Sequence, residues 1–567
     1  MSYDLLVKNG LICDGSGEPA FAGDVGIRGG QIVAIGDLDG DATRVIDAEG
    51  LVVAPGFIDV HTHYDAQVFW DPVLTSSCWH GVTTVVTGNC GLTFAPVKAG
   101  DRDWLIGMFA RVEGMSRNLL AGQLPWNWET FPEYIDAVSN QNLGLNVAPL
   151  VGHSALRIYA MGADAVTRAD ATPEELEQMK GLLRDGMEAG AWGFSFSRIA
   201  AQVGENGEPM PGMVASEKEL IELSNVVGEF GRGFIESVPR ITTYQHVSER
   251  DADFEMLKTI SRQSGRPTTW ISLTQQYNMP NLWKEMLQKT QDATAEGYIT
   301  YPQVAVQPTT FTFSLRNVSI IVDDLPHWRK INYLPVEERQ KALHDPEIRK
   351  GLRYDMTEDN QPRVYSKKWH LTTVHKTALE KNRHLEGRTL EEIAKTEGRD
   401  PFDVFIDLSL EENLDTEFLT VLANGEEDIM EQIVRECPNA LISLSDGGAH
   451  VQFLSDVGYP TYLLSHWVRD RKYLTIEQAI HKLSGYPAEI LGFKDRGLLR
   501  KDMAADLAIF DPKTVSRLNA YPVNDLPNGE PRLVRMAEGI KYTVINGEVV
   551  VEDGKLTGAR PGRILSS

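Results

Sequence analysis

Eight short apolar runs, each followed by a longer stretch with helical periodicity, confine this chain to one main architecture. The runs are Gly56–Val60, Thr83–Gly88, Val147–Gly152, Ala191–Phe194, Gly233–Ile235, Pro267–Ile271, Ile299–Val306 and Ala440–Ser445. They close near His61–His63, Asn89, His153, Ser195–Ser197, Glu236, Ser272–Thr274, Gln303–Gln307 and Asp446. Strand-then-helix alternation predicts a parallel sheet with crossover helices, and eight such units predict an α/β fold of the (β/α)8 (TIM) barrel type. Helix starts agree with that count. Ser216-x-x-Glu219 and Thr475-x-x-Gln478 read as capping boxes, and Thr172-Pro173 pairs a cap with proline at the first helical position.

Both chain ends are patterned differently. Leu5, Val7, Val25, Ile27, Ile32, Val33 and Ile35 alternate with polar residues around Gly29-Gly30, the period of a half-buried strand. Near the other end, Ala505–Phe510 precedes Val544–Val550, whose central Asn546-Gly547 pair suits a tight hairpin turn. A small β-sandwich built from residues 1–55 and 505–567 is expected beside a barrel over 56–504. Between about 308 and 400 the strand spacing fails, and this segment is too long for a barrel connection. It reads as an inserted lid, whose Phe311, Phe313 and Trp328 are candidates to cover an apolar acyl group.

Charge narrows the function. Lys+Arg 55 against Asp+Glu 80 gives a net charge of -25, which opposes binding to nucleic acid or to an anionic membrane. The amino-terminal residues carry no basic, apolar leader, no window is apolar enough to span a membrane, and the four cysteines are scattered, so a cytoplasmic location is expected. The expected partner is a small molecule, and a homo-oligomer is compatible with the sequence.

In such a barrel the active site lies at the carboxyl ends of the strands. His61-Thr62-His63 closes the first run. Its two-residue spacing puts both imidazoles on one face, where they can grip a divalent ion. Gly88-Asn89-Cys90-Gly91 closes the second run. A lone cysteine is usually a small buried hydrophobe, but at this address Cys90 is a candidate thiolate ligand. Ser445-Asp446-Gly447 closes the eighth. Asp-Gly is also an ordinary turn signal; at a strand end beside a metal, Asp446 is the leading candidate for both ligand and general base. His153, His450 and Arg198 are candidate substrate contacts, each with a structural alternative: a hydrogen-bonded core histidine, a supporting histidine, and an ion pair.

Taken together, these motifs resemble the amidohydrolase superfamily, in its N-acyl-D-amino-acid deacylase (D-aminoacylase) branch. The likeness extends through Ala54–Asp59, Gly81–Val85, Gly497–Leu499 and Ala505–Leu507 and covers nearly the whole chain. It implies a zinc site lined by His61, His63, Cys90 and Asp446, with Asp446 as base. The chain departs from the family pattern at strands five and six. Glu236-Ser237-Val238-Pro239 and Ser272-Leu273-Thr274-Gln275 stand where the deacylases carry further metal-binding histidines, and strand four has no lysine of the kind that is carboxylated in other branches. The resemblance therefore implies one zinc ion or two, with Glu236 as a candidate further ligand.

The expected activity is metal-dependent hydrolysis of a carbon–nitrogen amide bond, foremost in an N-acyl amino acid. A cyclic amide or imide hydrolase and a metal-poor binding paralogue are the alternatives. Joint retention of two histidines, a thiol and a carboxylate at strand ends disfavours the second of these.

Overall fold

The computed structural model describes residues 2–199, 202–205, 207–240, 247–359, 363–450 and 456–566. The chain divides into two compact units. The first comprises Met1–Leu273, Leu287–Gln307 and Val434–Ser567, and the second comprises Thr274–Met286 and Pro308–Ile433.

In the first unit the two chain ends share one nine-stranded sheet. Its seam is Val52–Pro55 against Leu507–Phe510, antiparallel, with Leu507 opposite Pro55 and Phe510 opposite Val52. Leu5, Val7, Ile12, Val25, Ile27, Val53, Leu507, Ile509 and Val544 close over it as one buried cluster. Their alternation along the chain is the period-two pattern read from the sequence. The turn at Asn546-Gly547 has φ 45° and 86°, the left-handed pair that matches a hairpin to the twist of its strands.

All eight apolar runs are strands. We number them β1 (Phe57–Asp59, continued by His61–Thr62), β2 (Val82–Thr87), β3 (Asn146–Gly152), β4 (Gly193–Ser197), β5 (Phe234–Val238), β6 (Thr268–Ile271), β7 (Thr300–Gln303) and β8 (Leu444–Gly447). Each pairs in parallel with the next from β1 to β7. The circuit is completed by two contacts. Gln303 bridges to Leu441 just before β8, and β8 pairs in parallel with His61–Thr62. Strands buried on both faces explain why β2 and β3 read as unbroken apolar runs.

Helix starts follow the sequence at Thr172 and Thr475, where both halves of the capping box form. Ser216 makes no side-chain cap. Its intended partner Glu219 is 2% exposed and turned inward, because the buried His153 and Arg157 claim the carboxylate, as described below.

The second unit has a three-stranded sheet in which Glu417–Ala423 pairs with both Thr309–Phe313 and Thr372–Lys376. That pairing carries the unit past residue 400, beyond the insert expected from sequence. Phe405 is its hub, with ring centroids 4.8 Å from Phe418, 5.9 Å from Trp328 and 6.2 Å from Phe313. Phe311, Phe313 and Trp328 are buried. Phe313 and Trp328 pack into the unit's own core and are not free to cover an acyl group. Among the described residues no helix is long and apolar enough to cross a membrane.

Candidate metal centre

The centre is assembled where β1, β2 and β8 end. Extended backbone through His61-Thr62-His63 turns both imidazoles to one side, with ring centroids 5.2 Å apart. Thr62, pointing the other way, donates its hydroxyl to the Val86 carbonyl at 2.6 Å. The segment that forms β8 holds the backbone before and after the pair: Val60 N–H donates to Ser443 O at 3.1 Å and His63 N–H to Gly447 O at 2.7 Å. Both histidines are almost fully buried.

Cys90 sits on a tight turn with φ 56°, and four neighbours pin that turn. Gly88 N–H donates to Asp65 Oδ2 at 3.1 Å, Asn89 Nδ2 to Thr62 O at 3.0 Å, Cys90 N–H to Glu236 Oε2 at 2.8 Å and Gly91 N–H to Ser195 Oγ at 3.0 Å. Ser195 in turn donates its hydroxyl to the Gly88 carbonyl. Glycine is required at 88, where φ is 79° and a Cβ would lie 2.3 Å from Leu150 O. The result is a thiol 3.4 Å from His61 Nε2 and 3.8 Å from His63 Nε2. The three ligand atoms lie within 4.8 Å of one another.

Asp446 lies within an irregularity of β8, between Leu444 and Gly447, at φ 50°. Its Oδ1 stands 3.3 Å from His61 Nε2 and 3.8 Å from His63 Nε2, with the side chain 28% exposed. Ligands held about 2.0–2.3 Å from a tetrahedral ion are about 3.3–3.7 Å apart. The spacings of the two imidazoles to Cys90 fit a common cation, and Asp446 stands beside the same two rings but outside the set whose ligand atoms all lie within 4.8 Å of one another.

The electrostatics ask for one. Burial pushes His61 down to about 3 and His63 well below the usual imidazole range, with His61 and His450 adding to the effect on His63. Both rings are therefore neutral and offer lone pairs. Burial pushes the Cys90 thiol well up, helped by Glu236, Glu113 and Asp446. Asp446 is raised to about 7 by burial and then by Asp456, and Glu236 to about 8 by burial. No lysine or arginine pairs with Glu113, Glu236 or Asp446 among the described residues. Glu113 Oε1, Glu236 Oε1 and His63 Nδ1 are buried there without hydrogen-bond partners among the described residues.

Glu113 has no counterpart in the sequence reading. It caps the carboxyl end of the helix Arg102–Val112 and reaches the centre from outside the strands, its Oε2 3.7 Å from His63 Nε2 and 3.6 Å from His450 Nε2. Its carboxyl is pushed well up by burial, then by Asp446, Asp65 and Glu236. The available signal was length: residues 88–145 between β2 and β3 far exceed an ordinary crossover.

Two expected substrate contacts are occupied elsewhere. His153 Nε2 lies 2.8 Å from Glu219 Oε1, which also lies 3.3 Å from Arg157 Nε, all three side chains being buried. Arg198 donates to the fully buried Asp253 at 2.7 Å. Being at a strand end placed both near the correct rim, but each found a closer acid on a neighbouring helix. Glu236 lies behind His61, its Oε1 3.7 Å from Nδ1. It faces the ring nitrogen turned away from Cys90 and Asp446, beyond hydrogen-bond reach.

A family model described as the amidohydrolase family matches residues 44–551. An uncharacterized protein of Mycobacterium tuberculosis is 30% identical, spanning 98% of this chain and 93% of its own length. The D-aminoacylase of Alcaligenes xylosoxydans xylosoxydans is 29% identical over 100% of this chain and 98% of its own, and the N-acyl-D-glutamate deacylase of that organism is 28% identical over 99% and 96%. Among solved structures, a D-aminoacylase mutant in complex with CuCl2 superposes with a TM-score of 0.67 at 26% identity, covering both chains fully. An N-acyl-D-glutamate deacylase from Bordetella bronchiseptica, complexed with zinc and a phosphonate mimic of the tetrahedral intermediate, superposes with 0.66 at 25% over the full length of both.

Proposed function

Because this chain belongs to the amidohydrolase family, we propose that it hydrolyses the carbon–nitrogen amide bond of a small molecule, an N-acyl amino acid of the kind for which its deacylase relatives are named. The observation that carries the reading is the set of 3.3–3.8 Å spacings from His61 and His63 to Cys90 and Asp446, amid buried acids that no lysine or arginine pairs among the described residues.

The strand circuit is read as a (β/α)8 barrel over 56–504, with the nine-stranded sheet as the core of a composite domain from 1–55 and 505–567. The catalytic groups then lie at the strand ends, where this architecture places them. His61, His63, Cys90 and Asp446 would hold the ion, and nitrogen, sulfur and oxygen donors together favour zinc. When bound, such a cation polarises an amide carbonyl and lowers the pKa of water.

The residues do the rest. Asp446, partly exposed at the rim, accepts the proton of the attacking water and returns it to the leaving nitrogen. Glu236 accepts the Cys90 N–H and so fixes the Cys90 turn. His450 lies beside Glu113 at the rim and is retained as a candidate substrate contact, whereas His153 and Arg198 are architectural. All four cysteines are free and buried, which supports a reducing, cytoplasmic setting.

The test is elemental analysis of the purified chain together with hydrolysis of a panel of N-acyl-D- and N-acyl-L-amino acids and cyclic amides. Bound zinc that is lost in His61→Ala, and turnover of linear N-acyl substrates, is the expected result. A protein with no metal and no gain on adding it would sink the reading.

A further inference from the structure

The strand circuit has a second end, where the strands begin. Trp192 immediately precedes β4, Arg232 stands two residues before β5 and Arg266 two residues before β6. Because these strands run parallel, the three side chains meet at the end opposite to the one that carries the metal centre. There they line a cavity of about 450 Å³ together with Lys494, Arg563 and the buried Leu565. That volume is within the range of small-molecule sites.

Four of these residues are cationic, and their charge is not cancelled by the protein. Arg266 donates from Nε to Gly233 O and from Nη1 to Gly231 O, both at 2.9 Å, and Arg232 Nη2 donates to Met187 O. Neutral carbonyls fix the two guanidinium groups in place and leave them charged. Arg232 Nη1 is buried without a hydrogen-bond partner among the described residues, beside a Phe230 ring whose centroid is 5.4 Å from the guanidinium carbon. Burial alone lowers both arginines from their usual range, with no acid acting on either among the described residues. Asp495 also lines the cavity, but Arg496 takes it with two hydrogen bonds, Nε to Oδ1 at 3.1 Å and Nη2 to Oδ2 at 3.0 Å. It stands 3.7 Å from Arg563.

Bracing the strand starts accounts for part of Arg266. It does not account for Lys494 and Arg563, which come from distant parts of the chain to the same wall. Four cations gathered in one recess of a chain with net charge -25 create a local field that draws in a small anion, while the charge of the whole opposes a nucleic acid or an anionic membrane. Planar guanidinium groups match phosphoryl and carboxylate oxygens. The volume leaves room for more than an inorganic ion, and Trp192 and Leu565 offer it an apolar wall.

We propose that this cavity binds a small organic dianion, its phosphoryl or carboxylate groups held by Arg232, Arg266, Lys494 and Arg563 and its apolar part lying against Trp192 and Leu565. The site is separate from the proposed hydrolytic centre and stands or falls without it.

The full-length chain is titrated by calorimetry with phenyl phosphate and, in a second arm, with isophthalate. Saturable binding of one equivalent of either is expected, and the tighter of the two tells a phosphate ester from a dicarboxylic acid. Binding is expected to persist in His61→Ala, which removes the metal centre as a rival site. In the exposed double variant Lys494→Gln/Arg563→Gln it is expected to weaken by at least about tenfold, the scale of a lost charged hydrogen bond. Arg266→Lys, which keeps the charge and loses the fork, is expected to weaken it as well. No saturable binding of either anion would overturn the proposal, as would binding that disappears in His61→Ala and is untouched by the double variant. Equal weakening in Lys381→Gln/Arg383→Gln, two exposed cations of the second unit, would reduce the effect to general charge attraction and overturn it too.

Discussion

Glu236 accepts the backbone N–H of Cys90 at 2.8 Å, so the strand-five carboxylate fixes the orientation of a thiol that follows strand two. Its other oxygen stands 3.7 Å from His61 Nδ1, beyond a hydrogen bond. Glu236→Gln, which keeps the shape and loses the charge, is expected to weaken Zn2+ binding by about 10–100-fold with a small change in melting temperature. Competition against a fluorescent chelator measures it. Glu236→Ala also orphans the buried Cys90 N–H and is expected to cost a further ~1–3 kcal/mol of stability, read from denaturant unfolding.

Asp446 combines proximity to both imidazoles with 28% exposure at the rim. In Asp446→Asn the amide oxygen can still approach the ion but cannot take a proton. Turnover is expected to fall by about 10²–10⁴-fold at saturating metal, with metal content retained. Parallel elemental analysis and single-turnover kinetics separate the two effects.

Arg198 shares the fully buried Asp253 with Arg240, whose Nη2 donates to it at 2.7 Å. Removing the acid leaves two guanidinium groups short of their counter-ion. Asp253→Ala is expected to destabilise the fold by ~3–5 kcal/mol, the cost of breaking a buried pair from one side. Arg198→Met is expected to lower the melting temperature with KM unchanged. A raised KM at constant kcat would instead place Arg198 on the substrate.

These contacts show where sequence stopped informing. Strand ends and the positions of His61, His63, Cys90 and Asp446 were legible because burial on both faces enforces apolar runs, and the chemistry follows the last apolar residue. The direction in which a strand-end side chain finds its partner was not. His153 and Arg198 follow such runs too, yet the nearest acids, Glu219 and Asp253, come from helices distant in sequence. The same contact cancelled the capping box at Ser216, since Glu219 cannot both cap a helix and face His153. Glu113 was invisible for a different reason. Arg111-Val112-Glu113-Gly114 reads as an ordinary solvated helix end, and only packing turns that end toward the metal-facing side of His63.

A last expectation concerns acid stability and involves a histidine remote from the proposed chemistry. His80 is fully buried, with Nε2 3.1 Å from the Arg535 carbonyl and Nδ1 2.8 Å from the Thr461 hydroxyl. A carbonyl only accepts, so Nε2 carries the proton and Nδ1 accepts from Thr461. Burial lowers His80 to about 3, with Arg535 and Arg517 opposing a further charge. The folded pKa lies below the unfolded one of 6.5. Above that value both states are neutral and the contribution of His80 is fully present. As pH falls through 6.5 toward 3, the unfolded chain takes up a proton that the folded chain refuses, and stability is lost. The slope approaches ~1.4 kcal/mol per pH unit for one group. His61, His63, His153 and His450 are shifted the same way, so the isolated effect requires a comparison. Between pH 6.5 and 5, wild type is expected to lose about 1.5 kcal/mol more than His80→Asn, measured by urea unfolding in chelator to remove metal linkage. Equal slopes for the two proteins would mean that His80 titrates normally and that the buried neutral tautomer is wrong.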